Sequence, residues 1–168
     1  MLAFMAIGVS VSLAQDRTAI FQEWREESAI PGYELVYRLY KLGDRACGYY
    51  EEWANGRAYR HRFSGRRISP ERLEVDYTCR AVFNGHVETC GSVFMDVEQW
   101  EANKFAFLVC DGRLKRVYGH DDCLQSKSSP GAKRGLSGWF DLPDAIGSEA
   151  WLTQCLTSAT FPPIESRH

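Results

Sequence analysis

Residues 72–90 read RLEVDYTCRAVFNGHVETC, and their alternation decides the fold class. Leu73, Val75, Tyr77, Cys79, Ala81 and Phe83 fall on one side of an extended chain. Arg72, Glu74, Asp76, Thr78 and Arg80 fall on the other. Successive side chains of a strand point to opposite faces, so this spacing predicts one buried and one wet face. The Asn84-Gly85 pair that follows supplies the positive φ angles of a tight hairpin. With those two as the turn, Phe83 pairs with His86 and Cys79 comes opposite Cys90, within disulfide reach.

The same signal recurs on both sides of this hairpin. Asn55-Gly56 and Asp111-Gly112 each separate runs rich in Val, Tyr, Phe and Leu. Eight strands are predicted, at 33–42, 46–54, 57–64, 72–83, 86–95, 104–110, 113–119 and 136–141. Joined in succession by hairpins, they form an antiparallel meander, and eight strands suffice for an up-and-down barrel. A short helix is predicted at 16–28, DRTAIFQEWREES, with Ile20, Phe21 and Trp24 on one face and a stop at Pro31-Gly32. A second is predicted at 148–158, anchored by Trp151, Leu152 and Cys155. The run SKSSPGAKRG at 126–135 has loop composition.

The first fourteen residues, MLAFMAIGVSVSLA, carry no charge, and Gln15-Asp16-Arg17 turn polar at once. This is the pattern of a secretory signal peptide cut after Ala14, too short for a membrane span. The expectation is a signal peptide at 1–14 and a single disulfide-stabilised β domain at 15–168, secreted and extracellular. Six cysteines remain: Cys47, Cys79, Cys90, Cys110, Cys123 and Cys155. No Cys-x-x-Cys pair or zinc-finger spacing is present, so three disulfides are the natural reading, with the pairing open beyond Cys79–Cys90. A net charge of −2 lacks the basic footprint of a nucleic-acid binder, and no heptad pattern argues against a monomer. No cofactor, metal or membrane partner is expected.

The Asn55-Gly56 hairpin carries the candidate site. Its register sets Glu51 across from Arg60 and Tyr49 across from Arg62, on a face suited to solvent. The other face holds Tyr50 opposite His61, Glu52 opposite Tyr59, and Phe63 beside Gly48. Tyr50, Glu52, Tyr59, His61 and Phe63 make that face unusually polar for a simple core. Inside a barrel they would orient a ligand bearing polar groups. Tyr77 and Glu88 are candidates for the same enclosed space. A buried Glu needs a partner, such as an arginine or a cationic ligand group.

This layout (a short N-terminal helix, eight meandering strands, a C-terminal helix and disulfides) resembles a lipocalin, in particular the divergent lipocalin-like proteins of arthropod secretions. It is a resemblance of layout: the Gly-x-Trp of the lipocalin first strand has no counterpart at Trp24. The resemblance implies a cup-shaped cavity for a small hydrophobic or amphipathic ligand.

The leading expectation is a non-enzymatic secreted small-molecule binding protein. The alternative is a secreted interaction module, an inhibitor or effector, meeting a host or extracellular protein through its loops and the basic run Arg57, Arg60, Arg62, Arg66 and Arg67. Third is a small secreted hydrolase such as a ribonuclease, with His61, His86 and Glu88 as acid and base. No nucleophile motif supports it: Ser64-Gly65 and Ser137-Gly138 lack a G-x-S-x-G frame.

Overall fold

The computed structural model describes residues 18–27, 31–54, 57–84, 87–90, 99–119, 122–124, 131–141 and 150–161. The expected signal peptide lies outside them. The chain forms nine strands and a helix: β1 (Thr18–Glu27), β2 (Glu34–Leu42), β3 (Arg45–Ala54), β4 (Arg57–Arg67), β5 (Arg72–Asn84), β6 (Val87–Cys90), β7 (Glu101–Cys110), β8 (Arg113–Tyr118), β9 (Ala132–Asp141) and α1 (Ala150–Thr157). All pairings are antiparallel. β1 to β5, then β7, β8 and β9, follow one another around a closed, barrel-like ring, β9 returning to β1. The short β6 pairs with the outer part of β5 and stands outside that ring.

The eight-stranded antiparallel meander is therefore as expected, but its membership differs. The segment read as an N-terminal helix is β1, held on both edges by β2 and β9. The segment 86–95 supplies only the four residues of β6 among those described. β9 starts at Ala132, inside the stretch read as a loop.

The hairpins explain the registers. Asp111 and Gly112 have φ values of 52° and 72°, the left-handed pair that a two-residue turn demands, and Cys110 pairs with Arg113. Ala54 pairs with Arg57, so the whole register predicted for β3 and β4 holds. In the β5–β6 hairpin the pairing is displaced. Asn84 faces Val87 and Ala81 faces Cys90, not Cys79. Cys79 and Cys90 are still bonded, diagonally across the ladder, with Cα atoms 5.5 Å apart. The other disulfides are Cys47–Cys155 and Cys110–Cys123. Three disulfides fit an oxidising environment. Among the described residues no helix is long and apolar enough to cross a membrane.

Every ring strand sends a side chain into one interior core. Trp24, Leu39, Phe63, Val75 and Phe107 are its largest fully buried members, and Leu114 and Ala132 close it from β8 and β9. Each large apolar side chain so buried contributes about 1.5–3 kcal/mol. Gly48 makes room for this core: a Cβ there would lie 2.0 Å from the Arg38 carbonyl oxygen and 2.7 Å from the Phe63 ring. Outside the ring, α1 lays Trp151, Leu152 and Leu156 over β2 and β3, against Cys47 and Tyr49. This corrects the expectation of a wet outer face. Tyr49 and Arg62 are buried, and the Arg62 guanidinium lies 4.6 Å from the Trp151 ring centre.

Candidate functional site

The strands are staggered around the ring. The pairing row that starts at Ile20 runs through Lys41, Ala46, Gly65, Val75 and Phe105 to Tyr118, whereas Ile20 itself meets Trp139 on its other edge. Such stagger goes with tilted strands in a closed sheet. It carries the end of β8 to the ring mouth where β2 begins and β3 ends.

At that mouth the inward side chains change from apolar to mixed. Tyr37 packs edge-on to the core residue Phe107, with ring centres 5.5 Å apart. Tyr50 lies next, 5.9 Å from Tyr37. His61 stacks on Tyr50 at 4.7 Å and 9°, as their direct pairing across β3 and β4 requires. From the opposite wall the Arg116 guanidinium stands 5.5 Å from the Tyr50 ring and 5.8 Å from those of Phe105 and Tyr118. Tyr33, just before β2, lies close enough to Glu52 for that carboxyl to raise its pKa, after burial. Arg80 covers the Tyr59 ring at 4.9 Å.

The surroundings fix the charge states. Burial, then the nearby Arg80, lowers the His61 pKa below its ordinary value, with Glu52 opposing. Burial raises Tyr37 and Tyr50 above the usual phenol range, and raises Tyr33 with help from Glu52. At neutral pH the mouth thus presents neutral hydroxyls, a neutral imidazole and the Arg116 cation around aromatic faces. Such a set can orient a molecule that has both an apolar body and a polar group.

The structure brings Tyr50, Glu52, Tyr59 and His61 to this inward face. Phe63 shares the face but lies deeper, fully buried in the core. Tyr77 is not there. An extra residue in β5 breaks the alternation between Val75 and Tyr77. Thr78 then shares the face of Phe63, while Tyr77, paired with Ser64, points outward with Cys79. The Glu88 backbone pairs with Phe83; its side chain, like all of His86, lies outside the described residues. Arg80, Phe105, Arg116 and Tyr118 were missed by sequence reasoning. For Arg116 and Tyr118 the signal was the alternation Leu114, Arg116, Tyr118 in β8, whose first member is buried and whose other two are exposed at the rim.

The outer wall of β1 to β4 carries a separate charge network. The buried Glu23 carboxylate accepts from Arg25 at 2.8 Å and Arg38 at 2.9 Å. Arg38 also donates to Glu51 at 3.1 Å, and Arg60 bonds the same carboxylate. Burial alone would raise the Glu23 pKa; the two guanidinium bonds outweigh it and lower it. Each charge here has its partner, so the network ties four strands together. Among the described residues no three His, Cys, Asp or Glu side chains gather as a metal site.

Comparison with protein-family models, curated proteins and solved structures finds no match for this chain.

Proposed function

We propose that this protein is a secreted, non-enzymatic binding protein whose ring mouth takes a small amphipathic ligand. The observation that carries this reading is the inward group Tyr37, Tyr50, His61 and Arg116, set directly above a filled apolar core. Arg116 is exposed at this rim, so its guanidinium lies over three aromatic faces and stays open to a ligand's polar group. The filled core below makes the site shallow. The apolar part of the ligand lies on the aromatic faces, and its polar group meets Arg116, Glu52 and the tyrosine hydroxyls. The closed eight-stranded antiparallel ring, with its interior open at this end to mixed side chains, supports the same reading. The disulfides support secretion, as does the apolar start of the chain.

The test is native mass spectrometry and thermal shift of the oxidised protein against a panel of fatty acids, amines and lipids. A one-to-one complex with a panel member is expected, weakened about tenfold by Arg116→Gln, the equivalent of one charge-assisted hydrogen bond. Absence of binding across the panel, or equal binding by the variant, overturns the reading. A second reading has one observation in its favour: Trp53 and Tyr118 are exposed on strands that reach this rim, as at a protein-docking surface. Recovery of a protein partner that Trp53→Ala abolishes would favour it.

A further inference from the structure

The opposite end of the ring holds a cluster that the mouth site does not use. Lys41 pairs across the ladder with Ile20 and Ala46, so it points inward below Leu39. It is 7% exposed. An ammonium group has three donors. One goes to the Gln22 side-chain oxygen at 2.9 Å. No carboxylate acts on Lys41 among the described residues; the charged groups that do are Arg67 of β4 and Arg134 of β9. Both arginines are exposed. Arg134 covers the Trp24 ring at 5.1 Å. Neither guanidinium has an ion pair among the described residues.

Three positive side chains converging on one end of a closed ring repel one another, and burying one of them adds a desolvation cost. Burial and the two arginines together push the Lys41 amine down to about 8. The buried Glu23 carboxylate, by contrast, is held by two guanidinium groups. Among the described residues no carboxylate offsets the Lys41 charge, and its remaining donors lie beside the Gln22 side chain.

We propose that Lys41, Arg67, Arg134 and the Gln22 amide form a binding site for a small oxyanion of the sulfate or phosphate class. Such an anion accepts several hydrogen bonds at once and neutralises the cluster. Leu39 and Phe107 fill the ring above, so the site admits a compact anion and no chain behind it.

The test is calorimetric titration of the full oxidised chain with sodium sulfate and with sodium phosphate, at ionic strength fixed by sodium chloride. Saturable one-to-one binding of at least one oxyanion is expected, with a matching rise in Tm. Lys41→Met keeps the apolar stem and should weaken binding about tenfold or more. Arg67→Gln and Arg134→Gln alter exposed side chains and should each weaken it severalfold. They keep the test decisive if Lys41→Met fails to fold. A response no larger than chloride gives, or one unchanged in the arginine variants, overturns the proposal. Arg116→Gln at the far mouth should leave oxyanion binding unchanged, which keeps the two sites distinguishable.

Discussion

His61 is the residue on which the chemistry of the mouth turns. Its ring lies flat on Tyr50, and burial with Arg80 nearby favours its neutral form. A histidine whose folded pKa is lowered binds fewer protons in the fold than in the unfolded chain. Its contribution to stability is therefore complete above the ordinary value near 6.5 and is lost as pH falls through that value toward the lowered one. His61→Phe keeps an aromatic stack and removes the titration. Between pH 7.5 and pH 5 the wild-type Tm should fall further than that of His61→Phe, read by differential scanning calorimetry. Parallel curves would show that the imidazole is equally easy to protonate folded and unfolded. This residue was legible in the sequence because Asn55-Gly56 fixed its register with Tyr50. Tyr77 was not, because one extra residue in β5 turns every later side chain over, and no composition signal marks it.

At the scale of the element, β1 shows how tertiary partners override local pattern. Ile20, Phe21 and Trp24 have the spacing of a helix face, which is why 16–28 reads as helical. In the ring Trp24 is in the core, while Phe21 points outward and packs at a tilt against Tyr40, with ring centres 5.0 Å apart. Outward Glu23 is buried by Arg25 and Arg38, and inward Gln22 holds Lys41. Polar residues thus lie on the inner face and buried ones on the outer, so the period of two is hidden from hydrophobicity alone. The helix α1 was readable from its own apolar residues, but its effect on Tyr49 and Arg62 was not, since it docks from about ninety to a hundred residues further along the chain. That distance makes its tether the more important one. Cys47 and Cys155 are 108 residues apart, Cys110 and Cys123 only 13. Loop-closure entropy assigns roughly 5 kcal/mol to the first bridge and roughly 3 kcal/mol to the second. Paired Cys→Ser variants should lose stability in that order in urea unfolding. Equal losses, or the reverse order, would show that native packing rather than chain entropy sets the effect.

For the molecule as a whole, ring closure is uneven. β1 and β9 share seven described register pairs and β7 and β8 share six, but β8 and β9 share only Arg113 with Lys133 and Leu114 with Ala132. Beyond Leu114, β8 carries Arg116 and Tyr118 to the mouth supported by β7 alone among the described strands. Backbone held on one edge opens at lower free energy than backbone paired on both. The weakest wall of the ring is then the wall that presents the mouth cation, and a ligand gripping Arg116 must hold that wall in place. Hydrogen exchange resolves this directly. Amides of β8 and the start of β9 should exchange faster than those of β3 and β4, whose ladder is long and braced by α1 and the Glu51–Arg60 pair. Uniform protection around the ring would mean that the seam closes as firmly as the rest. Selective slowing of β8 exchange on adding a mouth ligand, with β3 and β4 unchanged, would tie that wall to binding.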